Sequence, residues 1–156
     1  MAHFAKLDKD NIVETVITFS NEEVDKNGGD LSVEAENFVA ARHPGTWKQT
    51  SYNNNFRCRF AGKGFFYDST NDIFRTQQPF PSWTLSSDNT YEWLPPLEQP
   101  TEEQCSYTYN GEPYKYVFAK WDETTQKWRS LHGDDTFYEW DGTAWSQITP
   151  IITELN

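Results

Sequence analysis

The sequence predicts a mainly β fold, with an α+β N-terminal part followed by small, hairpin-rich sheets. Aromatic residues make up 17% of the 156-residue chain, although hydrophobic residues as a whole reach only 36%. Short aromatic and β-branched stretches alternate with turn-forming residues, and only the stretch at about residues 32–43 has a helical pattern. Aromatic side chains bury large areas and pack across strands, so they can hold hairpins together around a thin core.

The N-terminal residues are predicted to form a hairpin followed by a loop. Turn formers at residues 8–11 separate the partly apolar stretch 3–7 from the β-branched stretch 12–19. Such an arrangement is typical of two strands joined by a short turn. Residues 21–30 are polar and contain two consecutive glycines, which predicts a loop.

A helix and a second hairpin are expected next. Ser32 is a suitable N-cap, glutamates follow in the first turn, and Pro44 ends the helical pattern. Beyond it, residues 46–52 and 56–60 are strand-like and flank Asn53-Asn54-Asn55. Asparagine tolerates the left-handed conformation of tight turns, so the pattern predicts a hairpin with a three-residue tip.

One hairpin pattern recurs in the second half. An aromatic residue, a polar turn with Asp in second place, and another aromatic residue occur at Tyr67–Phe74, Trp121–Trp128 and, shortened, Trp140–Trp145. Trp83 and Trp93 flank a longer turn. The aspartates are interpreted as turn residues that accept backbone hydrogen bonds, not as catalytic acids, and the flanking aromatics are predicted to pair across the strands.

Glycine and proline divide the chain between these elements. Gly62 and Gly64 predict a bend or bulge that needs backbone freedom, and no helix pattern follows to suggest phosphate binding. Proline-rich connectors at residues 79–82 and 95–100 separate the hairpins. The predicted organisation is an N-terminal α+β unit, residues 1–64, and an aromatic β-hairpin unit, residues 65–156.

Composition excludes several classes of function. The formal charge of −11 opposes binding to nucleic acid or to anionic membranes and favours solubility or a cationic partner. No apolar run could span a bilayer, and residues 1–8 do not have the pattern of a signal peptide. Cys58 and Cys105 are far apart in sequence, which favours two reduced thiols over a disulfide framework.

The residues suggest no catalytic or cofactor site. His3, His43 and His132 are isolated, so a metal site would need ligands distant in sequence. The pairs at 102–103 and 134–135 are acidic, but solvated turns explain them more simply than a Ca²⁺ site does. The scattered acids single out no glycosidase pair. Sugar binding stays open, because tryptophan and tyrosine rings stack on pyranose rings.

Several segments together resemble a family of small structural virion proteins of tailed phages that infect marine cyanobacteria (cyanophages). The similar segments follow the family's order and are residues 1–8, 11–13, 46–53, Arg57 with 61–68, 79–85, Trp93 with 95–96, and 121–128. The chain departs from the family pattern in a longer stretch at 101–116 and in an additional tryptophan hairpin and tail at 133–156. The resemblance implies a virion component assembled in the host cytoplasm, and it brings no catalytic residues.

We therefore expect a non-enzymatic structural component that docks on a capsid, neck or tail by protein–protein contacts. The expected partners are other phage structural proteins or further copies of the chain, without cofactor, nucleic acid or membrane. The alternative is a carbohydrate-binding adhesin that contacts a host glycan. An exposed, coplanar row of tryptophans would favour the adhesin, and tryptophans buried between hairpins would favour docking. The predicted interface residues are aromatic: Trp83, Trp93, Tyr107, Tyr109, Tyr114, Trp140 and Trp145.

Overall fold

A computed structural model describes residues 1–115, 117–131 and 136–148. Strands account for 38% of the structure and two helices for 11%, so the mainly β prediction is confirmed. The chain divides into two compact units, the first comprising Met1–Gln78 with Ser86–Glu92 and the second Pro79–Leu85 with Trp93–Asn156.

The first unit is built on a three-stranded antiparallel sheet with strand order β2-β1-β3. Its elements, in chain order, are β1 (Ala2–Leu7), β2 (Val13–Phe19), α1 (Asn21–Lys26), α2 (Val33–Arg42), β3 (Thr46–Thr50), β4 (Phe66–Asp68) and β5 (Ile73–Arg75). The β1–β2 hairpin is confirmed, and Asp8 forms its turn by accepting hydrogen bonds from the backbone N–H groups of Asp10 and Ile12.

Both helices begin at a serine N-cap. The predicted helix is confirmed as α2, where the Ser32 side chain accepts a hydrogen bond from the Ala35 N–H at 3.0 Å. The loop predicted for residues 21–30 is wrong over its first part, which forms α1. There, the Ser20 hydroxyl accepts from the Glu23 N–H, and the Glu23 carboxylate accepts from the Ser20 N–H. This reciprocal capping box satisfies two N–H groups that a short helix would otherwise leave unpaired.

The central strand β1 supplies both cores of the first unit because its side chains alternate between the two faces of the sheet. Phe4 lies on the face that packs against the helices, whose core residues are Ala2, Phe4, Val24, Ala35, Val39 and Trp47. Ala5 lies on the opposite face, whose core residues are Ala5, Leu7, Val13, Ala61, Tyr67 and Phe74. The first unit thus extends beyond residue 64, the boundary predicted from the sequence.

The hairpin predicted for residues 46–60 is wrong. β3 pairs with β1, from His3 opposite Thr50 to Leu7 opposite Thr46, and residues 51–60 form irregular turns. Arg57 and Cys58 have φ angles of 54° and 67°, in a left-handed region that interrupts any strand. The bend predicted at the glycines is present at Gly64, where φ is 85°, whereas Gly62 shows no such angle.

The second unit contains two short hairpins and a four-stranded antiparallel meander in the order β10-β11-β12-β13. Its strands are β6 (Thr84–Leu85), β7 (Trp93–Leu94), β8 (Ser106–Tyr109), β9 (Glu112–Lys115), β10 (Val117–Asp122), β11 (Lys127–Leu131), β12 (Phe137–Trp140) and β13 (Trp145–Ile148). The hairpin at the longer turn is β6–β7, in which Trp93 lies opposite Leu85 and not opposite Trp83.

Candidate interaction surface

The aspartates of the recurring hairpins form turns, as predicted. Asp68 accepts hydrogen bonds from the Thr70 and Asn71 N–H groups at 3.0 and 3.3 Å. Asp122 and Asp141 do the same for the backbone N–H groups two and three residues further along. These carboxylates are therefore used locally, which fixes the turns and with them the register of the flanking strands.

Four tryptophans form a continuous row across the meander. Trp121 lies opposite Trp128, Trp128 opposite Trp140, and Trp140 opposite Trp145. Because directly opposed residues share one face of a sheet, the four indoles lie side by side. We call these four residues the tryptophan ladder. The predicted pairs Trp121–Trp128 and Tyr67–Phe74 are both confirmed.

The ladder is covered by the segments that precede it in the chain. Phe80, Trp83 and Leu97 pack against it. The indole N–H of Trp128 donates to the Leu97 carbonyl at 2.9 Å, and that of Trp145 donates to the Gln104 carbonyl at 2.8 Å. Apolar packing and hydrogen bonds together make the ladder the core of this unit.

One carboxylate of the second unit is tied to the ladder by three donors. Glu123 accepts from the Trp121 indole N–H at 2.8 Å and from the backbone N–H and hydroxyl of Ser82 at 2.8 and 2.7 Å. Burial opposes the charged form, but these hydrogen bonds prevail and lower the pKa of the Glu123 carboxyl. Glu123 thus anchors the connector at Ser82 to the first strand of the meander.

Of the predicted interface tryptophans, only Trp140 lies within the buried core of this unit. Trp140 is 3% exposed, so the expectation that it is a surface residue is wrong, since it sits between two ladder neighbours. Trp83 and Trp145 are half-buried, and both pack against the buried tryptophans of the ladder. Trp93 is half-buried in β7. Trp83, Trp140 and Trp145 therefore contribute to the stability of the unit itself.

The three predicted tyrosines come together on the β8–β9 hairpin. Tyr107 and Tyr114 lie opposite one another with nearly parallel rings, 5.9 Å apart at 19°. Tyr109 meets Tyr114 edge to face at 5.9 Å. Tyr107 and Tyr109 are half-buried, and Tyr114 is 45% exposed. An aromatic face on a two-stranded hairpin is the candidate interaction surface.

The turn of this hairpin sets which side chains share the aromatic face. Asn110 and Gly111 have φ angles of 51° and 84°, as a type I′ turn requires, and the turn places Tyr109 opposite Glu112. The aromatic face therefore carries Glu112 together with the three tyrosines. Glu112 is not among the interface residues predicted from the sequence. The Asn-Gly pair between two tyrosine-rich stretches is the signal that could have identified it.

A shallow depression of about 500 Å³ lies at this hairpin. Its lining residues are Ser106, Tyr107, Thr108, Pro113, Tyr114 and Lys115. Lys115 contacts Glu102, and that contact lowers the pKa of the Glu102 carboxyl. The depression is open and combines tyrosine rings with polar side chains, which suits contact with another surface more than enclosure of a small molecule.

The first unit contains an ionic network centred on the buried side chains of Arg57 and Glu36. The Arg57 guanidinium contacts the carboxylates of Glu36 at 3.0 Å and Asp72 at 2.7 Å, and Lys48 contacts Glu36 at 2.7 Å. The Tyr67 hydroxyl donates to Asp72 at 2.5 Å. Burial and this hydrogen bond raise the pKa of the Tyr67 hydroxyl. The network joins α2, β3, the 51–60 segment and the β4–β5 hairpin.

No group of metal-ligating side chains is found among the described residues. His3 stacks on Tyr52 with ring centroids 5.7 Å apart, and His43 packs against Trp47. His132 and the 134–135 pair lie outside the described residues. Cys58 and Cys105 are free thiols, both half-buried.

No protein-family model, curated protein or solved structure matches the chain. Neither helix of the described part is long and apolar enough to cross a membrane.

Proposed function

We propose that this chain is a structural component of a phage virion that docks on the capsid, neck or tail through protein–protein contacts. The aromatic face of the β8–β9 hairpin carries the proposal, because Tyr114 is 45% exposed in a unit whose tryptophans already fill its core. Exposed aromatic clusters favour association with another protein. The sequence resemblance to small cyanophage virion proteins supports the same function.

The size of the hairpin sets the scale of the contact. A stable interface buries roughly 800 Å² on each partner. Two four-residue strands supply only part of such an area, so the neighbouring surface must contribute as well. The tyrosines would then form the centre of the interface and the surrounding polar residues its rim.

The alternative function, a carbohydrate-binding adhesin, is less well supported. Stacking on a row of sugars favours exposed and roughly coplanar rings. The ladder tryptophans Trp121, Trp128 and Trp140 are at most 8% exposed, and neighbouring rings are inclined by 67° and 50°. Trp121, Trp128 and Trp140 are therefore poorly placed for binding a glycan.

The test is to purify particles of the phage that encodes the chain and to determine their composition and structure. We expect the chain at a fixed stoichiometry after density-gradient washing, with Tyr107, Tyr109 and Tyr114 less exposed in the particle than in the isolated chain. Absence from washed particles would refute the proposed function. Presence without any loss of exposure at the three tyrosines would refute docking through this face, and binding on a glycan array would favour the adhesin.

A further inference from the structure

The aromatic face of the β8–β9 hairpin combines tyrosine rings with a carboxylate and carries no basic side chain. Glu112 and Tyr114 are two apart on β9, so their side chains lie on the same face. Opposite them are Tyr109 and Tyr107. The lysine of the hairpin, Lys115, lies opposite Ser106 on the other face, where it contacts Glu102.

Glu112 makes no ion pair with any residue that the structure describes, and it is exposed. Glu98 and Glu103, on the segment that precedes the hairpin, are likewise exposed and outside every ion pair of the described chain. The sequence between residues 98 and 115 thus holds four glutamates against the single Lys115, which contacts Glu102 on the other face. The surface is complementary to a cation.

The β4–β5 hairpin shows how an aromatic residue and an acidic residue on one face can bind an arginine. On β4, Phe66 and Asp68 are two apart and share a face, and Arg75 lies opposite Phe66. The Arg75 guanidinium is 4.5 Å from the centre of the Phe66 ring, and its Nε lies 3.3 Å from the Asp68 carboxylate. One arginine therefore stacks on the ring and pairs with the acid at the same time.

The β8–β9 hairpin has the same spacing of ring and acid but places a tyrosine where β5 places its arginine. We propose that the aromatic face of β8–β9 binds an arginine-bearing segment of a partner protein. The guanidinium stacks on Tyr114 and pairs with Glu112. This inference rests on the proposed docking function and adds the chemistry of the partner.

The inference is tested by NMR titration of the ¹⁵N-labelled full chain with the peptide acetyl-Gly-Arg-Gly-Arg-Gly-amide. The control peptide carries citrulline, which has the shape of arginine without its charge. We expect amide shifts concentrated in residues 106–115 with the arginine peptide. An uncharged side chain neither pairs with Glu112 nor makes a cation–π contact, so the citrulline peptide should produce little change.

Matched variants distinguish binding at the aromatic face from nonspecific attraction of the peptide to the acidic chain. Glu112→Gln and Tyr114→Leu should each raise the Kd of the arginine peptide by about 3-fold or more, as expected for the loss of an exposed ion pair or cation–π contact. Glu98→Gln removes the same charge outside the β8–β9 hairpin. Tyr52→Leu removes a 69% exposed tyrosine in the first unit. Both should leave the Kd nearly unchanged.

Three results would overturn the inference: no binding of the arginine peptide, equal binding of the citrulline peptide, or an equal effect of Glu98→Gln and Glu112→Gln. If Tyr114→Leu alters the hairpin itself, Glu112→Gln decides the outcome alone. If the chain is present in particles but does not bind the peptide, only this inference is refuted. If the chain binds the peptide but is absent from particles, only the proposed function is refuted.

Discussion

Trp128 is the ladder position at which a truncation should be most costly. It is 5% exposed, its ring centre lies 5.3 Å from that of Trp121 and 6.0 Å from that of Trp83, and its N–H is bonded to the Leu97 carbonyl. Trp128→Ala should lower the free energy of unfolding by about 3–5 kcal/mol, the usual cost of removing a buried large aromatic side chain. A loss of this size is a large part of the stability of a small unit.

The conservative variant Trp128→Phe separates the contribution of the indole hydrogen bond from that of the aromatic ring. It keeps an aromatic ring but leaves the Leu97 carbonyl without its donor, so we expect a loss of about 1–3 kcal/mol. Tyr52→Ala, at a 69% exposed position in the other unit, should cost less than about 1 kcal/mol.

Urea unfolding followed by tryptophan fluorescence is a suitable assay, since six of the seven tryptophans belong to the second unit. Hydrogen exchange should show lost protection in β10–β13 and unchanged protection in β1–β3. A cost below about 1 kcal/mol for Trp128→Ala would refute the ladder as the core of the unit, because truncating a buried large aromatic side chain usually costs about 3–5 kcal/mol.

Three further predictions concern the first unit and can be measured by urea unfolding with hydrogen exchange. Glu36→Gln should lower the free energy of unfolding by about 3 kcal/mol, the low end for breaking a buried ion pair, because Arg57 remains paired with Asp72. An unchanged free energy of unfolding would contradict the network's structural role. Gly64→Ala should cost about 1–2 kcal/mol because φ is 85° there, and a neutral effect would show that the bend is unstrained. Despite opposing burial, hydrogen bonds led by those from Asn71 lower the pKa of Asp68. The stability it contributes should therefore be full above the unfolded pKa of about 4 and fall below it, and Asp68→Asn should flatten that dependence in unfolding midpoints between pH 7 and pH 3.

Elements with local signals could be predicted from the sequence. The helix at Val33–Arg42 follows from a serine cap and a proline stop, and the Trp121–Trp128 hairpin follows from its Asp-containing turn. α1 carries an equally local signal in Ser20 and Glu23, but it is short and precedes a glycine pair, so the polar composition suggested a loop.

Features that depend on distant contacts could not be predicted. The strand at Thr46–Thr50 pairs with β1, some forty residues earlier, and no local pattern specifies that partner. Arg57 lies in a stretch predicted to be a strand, yet its guanidinium is buried between two carboxylates. Trp140 reads as exposed in an isolated hairpin and is buried because its hairpin joins a wider sheet.

The tyrosines of the candidate site could be predicted from the sequence, but the set of side chains that share one face of the hairpin could not. Tyr107, Tyr109 and Tyr114 stand out by composition alone. Their assembly on one side with Glu112 depends on the register that the Asn110-Gly111 turn imposes. A shift of one residue would move Glu112 to the opposite side, which shows why spacing without register was insufficient.

The tryptophan ladder also bears on how the second unit reaches its native state. Every strand of the meander pairs with its immediate neighbour in the chain, so its contacts are short-range and the loops to be closed are small. A slip of one residue between any two strands would turn one indole away from the others and expose it to water. Misaligned hairpins are therefore penalised as each strand is added. The meander can assemble by stepwise addition of strands, with each newly placed indole serving as the template for the next.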